Sequence, residues 1–152
     1  MPVRIQRLSA TDLAAAQATC AVMQEVFEEP PPVLTDAYLG GLLASEAFLL
    51  LAAFDGQRVV GGLTAHVLPM TRTMTSELFV YDLAVSPAHH RRGIGRALVH
   101  HAHQWATERG IGTLFVPVDA EDDEAIAFYR AIGGHGSPVE LFVFEDAHTV
   151  DG

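Results

Sequence analysis

The stretch from Leu78 to Trp105 constrains this chain most. Leu78–Val85 is apolar enough for a buried strand, apart from Asp82. Ser86-Pro87 ends it, because proline offers no N–H to a ladder. A helix then begins within Arg91-Arg92-Gly93-Ile94-Gly95-Arg96. Ile94, Ala97, Leu98, Ala102 and Trp105 give it an apolar stripe. The first turn of a helix leaves about four N–H groups without partners, and its dipole adds about half a positive charge. Gly93 and Gly95 have no side chain to hold a phosphate off the backbone, and Arg91, Arg92 and Arg96 add charge. This is the chemistry of a pyrophosphate seat. The same residues also fit an ordinary helix start with solvated arginines. The third glycine of a dinucleotide fingerprint and the Gly-Lys-Ser/Thr ending of a triphosphate loop are both missing.

Charge narrows the partner. The 152 residues carry a formal net charge of −10, with 9 basic residues against 19 acidic ones. Such a balance disfavours nucleic acid, whose binding rests on neutralising phosphates, and favours a cationic partner. The local arginine cluster is then economically explained by a small polyanion. No apolar run reaches the roughly 18 residues of a membrane span, and the N-terminal residues lack the apolar core of a signal peptide. The expectation is a cytoplasmic protein, one domain over residues 1–152, with no membrane partner.

Periodicity and turn residues predict the order β-α-α-β-β-β-α-β-α-β. Strands are expected at Val3–Arg7, Phe48–Phe54, Arg58–Leu68, Glu77–Val85, Ile111–Val118 and Val139–Phe144. The first helix should be capped by Ser9 or Thr11 and run to about Glu28. A shorter helix, about Asp36–Ala44, follows the stiff turn Pro30-Pro31-Pro32. The third begins near Arg92, and Asp122–Ile132 forms the last, stopped by Gly133-Gly134. Asp55-Gly56 reads as a hairpin turn, and Gly61-Gly62 as a bulge. The class is α/β (α+β), with a mixed, mostly antiparallel sheet of six to seven strands and helices on both faces.

Two acidic features stand out. Strict alternation puts Asp82 on the face of Val80 and Ala84, opposite Tyr81 and Leu83. A carboxylate inside an apolar strand is costly unless paired or wetted by a cleft. It is either a ligand or general base for an amine, or a structural anchor for a loop. The second feature is Asp119-Ala120-Glu121-Asp122-Asp123-Glu124, five acids in six residues. Asp122 and Asp123 also suit a helix start as simple caps, but five acids exceed that need. One exposed ion pair contributes about 0–1 kcal/mol, whereas micromolar affinity needs roughly 8 kcal/mol. A carboxylate cluster therefore suits an acceptor with several ammonium groups.

Strand, Ser-Pro turn, Arg-Arg-Gly-Ile-Gly-Arg-Ala-Leu, long helix, strand and Ala-Ile-Ala-Phe-Tyr-Arg-Ala-Ile-Gly-Gly together resemble the GCN5-related N-acetyltransferase superfamily. His90 stands where that family's Arg/Gln-x-x-Gly-x-Gly/Ala signature begins. The resemblance implies acetyl-CoA as cofactor and coenzyme A as product. It implies that Leu83, Ala84 and Val85 meet the pantetheine arm, and that Arg91, Arg92, Gly93, Ile94, Gly95 and Arg96 meet the pyrophosphate. A strand N–H near Leu83 would steady the charge developing on the acetyl oxygen. Tyr129 would assist the departing thiolate.

Leu39-Gly-Gly-Leu-Leu, Val60-Gly-Gly, Tyr81-Asp-Leu-Ala-Val-Ser and Val118-Asp-Ala-Glu-Asp-Asp are further similar to the aminoglycoside 3-N-acetyltransferases. The similarity spans roughly Tyr38–Phe144, while Glu25–Pro32 departs from the pattern. It implies a resistance enzyme whose acceptor-binding residues are Tyr81, Asp82, Asp119, Asp122 and Asp123, with Asp82 also catalytic. Glu121 and Glu124 have less support. Other acceptors stay open (another polyamine, a small amine, a peptide N-terminus), as does a non-catalytic acyl-CoA-binding module.

The lone Cys20 lies in an apolar helical pattern, so it is read as a buried small hydrophobe rather than a catalytic thiol. His89-His90 and His100-His101-x-His103 lack the further ligands of a metal site, and no metal is expected. The superfamily often dimerises, and the apolar Val139–Phe144 strand offers a surface for a homodimer.

Overall fold

The structure is a computed structural model and describes residues 2–31 and 33–146. Pro32, the last residue of the expected proline turn, lies outside the described residues. Two compact units are resolved, Met1–Pro117 and Val118–Gly152.

The first unit holds a five-stranded mixed sheet in the order β1-β2-β3-β4-β5. β1 is Arg4–Arg7, β2 Phe48–Asp55, β3 Arg58–Pro69, β4 Ser76–Val85 and β5 Thr113–Phe115. The first four pair antiparallel, and β5 joins β4 in parallel after a helical crossover. Gly56, at φ +63°, supplies the left-handed residue of the β2–β3 hairpin.

One face of the sheet carries α1 (Leu13–Val26) and α2 (Asp36–Ala44), the other α3 (Ile94–Glu108). α3 presents Ile94, Leu98, Ala102, Trp105 and Ala106, all buried, to Leu63, Ala65, Leu78 and Val80 of the sheet. Fully burying a side chain such as Leu98 contributes about 1.5–3 kcal/mol, so this stripe fixes the helix and hence the turn before it. On the opposite face α1 buries Ala16, Thr19 and Met23.

Gly61-Gly62 is not the bulge itself. The register shift falls one step earlier: Ala53 pairs Gly61 and Phe54 pairs Val59, so Val60 is the extra residue. The glycines instead serve close approach. A Cβ on Gly62 would lie 2.5 Å from Thr19 Cγ2, and one on Gly61 2.8 Å from the Ala84 carbonyl oxygen.

Three other expectations need correction. Neither Ser9 nor Thr11 caps α1. Asp12 is its N-cap residue, and its carboxylate accepts hydrogen bonds from Ser9 N–H (2.9 Å) and Ser9 Oγ (3.1 Å). The strand expected over Ile111–Val118 shrinks to Thr113–Phe115, between Gly112 and Pro117, residues poorly suited to a ladder. Val139–Phe144 forms no strand, so the described sheet has five strands, not six or seven. A strand exists only with a ladder partner, and this run has none in the described sheet; Val139, Leu141, Phe142, Val143 and Phe144 are 67–84% exposed.

The second unit contains α4, Asp123–Ala131. Asp122 caps it by accepting a hydrogen bond from Ala125 N–H (3.0 Å), and Gly133, at φ +104°, follows its end.

Candidate active site

The turn before α3 is built to leave amides bare. Pro87–His89 makes one 3₁₀ turn, Arg91 takes φ +64° and Gly93 takes φ +75° as the N-cap residue. Gly93 has no side chain with which to cap the helix, and the first intrahelical bond of α3 is Ala97 N–H to Gly93 C=O at 3.0 Å. The amides of Ile94, Gly95 and Arg96 therefore head the helix as donors for an anion. A Cβ placed on Gly93 would meet nothing within 4 Å, so the backbone there is open to close approach. Space, donors and arginine charge fit a diphosphate.

Two histidines brace this turn, a feature the sequence did not signal. His90 Nε2 lies 2.8 Å from the Val85 carbonyl oxygen, tying the turn to the end of β4. His89 Nε2 lies 3.2 Å from Asp55 Oδ2, and an Arg92 guanidinium nitrogen lies 3.7 Å from the same oxygen. The hydrogen bond from His89 is the largest influence on the Asp55 carboxyl and holds it below its ordinary range; burial opposes it, and the charge of Arg92 adds to the lowering. Asp55 belongs to the β2–β3 hairpin, so only the fold brings it here.

β4 and β5 part company midway. Their pairing covers Glu77–Phe79 against Thr113–Phe115 and ends there. Beyond Phe79, the β5-side edge of β4 has no ladder partner among the described residues. Leu83, Ala84 and Val85 lie on this stretch, which leads directly into the turn.

The largest departure from the expected geometry is at Tyr81. Thr64 pairs Asp82 while Ala65 pairs Val80, which leaves Tyr81 as an extra residue, a β-bulge. Alternation is reset there. Val80 packs in the core under α3, whereas Ala84 packs in the core under α1 and α2. Asp82 therefore does not share a face with Val80, and Leu83 and Val85 lie on the α3 side. Asp82 turns to the α1 side, where Thr64 Oγ1 donates a hydrogen bond to its Oδ2 at 2.5 Å. That length suits a charge-assisted bond and satisfies one carboxylate oxygen. Cys20 of α1 lies near enough for burial, and then the Asp82 charge, to raise its thiol pKa, which keeps it protonated. Neither Thr64 nor the bulge was legible from sequence. Tyr81 itself is 67% exposed.

The remaining expected residues lie in the second unit. Asp119 Oδ1 accepts from Glu121 N–H (3.2 Å) and Asp122 caps α4, so both carboxylates have structural duties, while Asp123 and Glu124 occupy the first helical turn. Tyr129 lies on α4, with its ring 5.0 Å from that of Phe128. Burial, and then the charge of Asp122, push its hydroxyl pKa up to about 12, so it keeps its proton well above neutral pH. Among the described residues no group of His, Cys, Asp and Glu could hold a metal ion, and no helix is long and apolar enough to cross a membrane.

Comparison with known proteins identifies the family. An aminoglycoside acetyltransferase from an uncultured soil metagenomic sample superposes with a TM-score of 0.89 at 33% identity, covering 96% of this chain and 100% of that one. Another, solved with sisomicin, gives a TM-score of 0.88 at 29% identity over 95% and 97% of the two chains. By sequence, the N-alpha-acetyltransferase RimI of Mycobacterium tuberculosis is 32% identical over 134 residues, 87% of this chain and 78% of its own. The first curated relatives that match do so over only 43% of their own length. Residues 11–133 match the sequence model of the Acetyltransferase (GNAT) family. The chain belongs to the GNAT family, whose acetyltransferases use acetyl-CoA.

Proposed function

We propose that this protein transfers an acetyl group from acetyl-CoA to an amino group of an aminoglycoside, the 3-amino group, and so inactivates the drug. The observation that carries this reading is the division of β4 at its bulge. Asp82 turns to the α1 side as a carboxylate with one oxygen satisfied by Thr64. The strand then continues as a free edge to the bare amides of α3.

In this reading Leu83, Ala84 and Val85 hold the pantetheine arm through their backbone, and Arg91–Arg96 hold the diphosphate. Bound acetyl-CoA supplies the activated acyl group. Asp82 takes the acceptor's ammonium on its remaining carboxylate valence and receives its proton, since only the neutral amine attacks. Asp119, Asp122 and Asp123 supply further negative charge for a polycation, and Tyr129 gives its hydroxyl proton to the departing thiolate. The likeness to aminoglycoside acetyltransferases over nearly the whole chain supports a drug acceptor.

The likeness to an N-alpha-acetyltransferase favours a second reading, a peptide N-terminus as acceptor. Thiol release from acetyl-CoA with a kanamycin- or gentamicin-type drug, spermidine and a short peptide separates the two. The first reading expects turnover with the drug, and NMR of the product then locates the acetyl group. Turnover with the peptide alone favours the second. Thiol release with no amine at all would contradict both.

A homodimer is part of the proposal. Val139, Leu141, Phe142, Val143 and Phe144 are exposed and apolar, and β5 is an edge strand, so two copies of the chain cover what one leaves open. Sedimentation at micromolar protein should give twice the mass of 16.4 kDa.

A further inference from the structure

A row of rings crosses the sheet on the side to which Asp82 turns. Phe48 pairs His66, His66 pairs Phe79 and Phe79 pairs Phe115, so the four side chains stand on one face of β2, β3, β4 and β5. Ring centroids lie 5.2 Å apart for Phe48 and His66, and 5.1 Å apart for Phe79 and Phe115. Phe48 packs in the core under α1 and α2, which identifies the face. Regular alternation would give Tyr81 this same side but place Asp82 on the other. The bulge brings both to one side. Tyr81 meets His66 at 6.1 Å and Phe79 at 5.4 Å, in edge-type contacts of 72° and 84°. Along the row exposure rises from Phe48 at 7% to Tyr81 at 67%.

An aromatic ring fixed by two neighbours yet mostly open to solvent is an organised surface with little left to order on binding. The carboxylate of the next residue gives that surface a sign. We infer that Tyr81, backed by His66 and Phe79 and extended by Phe115, is the floor on which a ring-shaped cationic acceptor lies. The C–H face of an amino-sugar or aminocyclitol ring covers Tyr81, and a ring ammonium reaches Asp82. The occupant follows from charge complementarity: rings attract C–H faces and ammonium groups, and the carboxylate admits only the cation. This rests on the acceptor meeting the Asp82 side of the sheet, and it adds selection by shape to selection by charge. A flexible linear polyamine satisfies Asp82 equally but covers little of the floor.

Calorimetric titration of the protein–coenzyme A complex with sisomicin and with spermidine tests this without requiring turnover. Tyr81→Ala should weaken sisomicin by roughly tenfold and spermidine by less than about twofold, while Tyr81→Phe keeps wild-type affinity for both. Phe115→Leu should weaken sisomicin by a few-fold, in the same selective sense. Equal loss for the two amines, no loss, or a Tyr81→Phe variant as weak as Tyr81→Ala would overturn the floor and leave the acetyltransferase reading standing. A wild-type complex that binds coenzyme A but neither amine would overturn both.

Discussion

The two ends of β4 offer different means of recognition. Toward α3 the means is backbone: the free edge at Leu83–Val85, the left-handed Gly93 and the bare amides of the helix start. Around Tyr81 the means is side chains: a carboxylate, a hydroxyl and a set of rings aimed by one extra residue. A backbone site tolerates changes of side chain but not of conformation. A side-chain site tolerates neither a lost functional group nor a shift of register. The two ends should therefore fail separately, and each substitution below tests that.

The largest effect is expected from Asp82→Asn. It keeps shape and the Thr64 contact but removes the charge and the proton acceptor. Steady-state kinetics should show kcat/KM for the acceptor falling by about 100-fold, with the KM for acetyl-CoA changed less than about twofold. A comparable rise in the acetyl-CoA KM would erase the distinction between the two ends.

Gly93→Val should act in the opposite direction. A β-branched residue at φ +75° is strained by about 1–3 kcal/mol, and relief of that strain disturbs the turn. The KM for acetyl-CoA should rise by roughly tenfold or more, with acceptor affinity retained. Circular dichroism checks that the fold survives.

Tyr129→Phe tests the proposed proton donor on α4. Loss of the proton donor should reduce kcat by about tenfold and leave both KM values near wild type. Because the Tyr129 hydroxyl is raised to about 12, activity that depends on its proton should persist as pH rises past the ordinary tyrosine value near 10. The sign for stability is opposite. The unfolded chain ionises this tyrosine first, so stability present below pH 10 drains away as pH approaches 12. Thermal melts of wild type and Tyr129→Phe across that range should diverge in that sense.

The smallest effect is expected from Thr64→Val, which frees the bonded oxygen of Asp82 and lets the carboxylate swing. A few-fold loss in acceptor kcat/KM is expected, again with the acetyl-CoA KM unmoved.

What the sequence revealed and what it hid divide along the same line. The helix start was legible because its parts are contiguous: Ser86-Pro87 stops a strand, Gly93 and Gly95 admit an anion, and Leu98 and Trp105 set the stripe. α2 was legible to the residue, Asp36–Ala44. The direction of Asp82 was not. Alternation assumes a regular strand, and one unpaired residue at Tyr81 reverses every facing beyond it. Asp55, His89 and Thr64 were missed because their roles come from pairing across strands and turns far apart in sequence. Val139–Phe144 read as a strand because its composition is that of one, but composition cannot supply a ladder partner.

The central claim is that the free edge of β4 and the bare start of α3 together hold coenzyme A. Titration of nitrogen-15-labelled protein with coenzyme A, followed by amide shifts, tests it most directly. The largest perturbations should fall on Leu83, Ala84 and Val85 and on Gly93 to Arg96, with the amides of β1 and β2 unmoved. Perturbations concentrated on other elements, or a spectrum unchanged at millimolar coenzyme A, would contradict it.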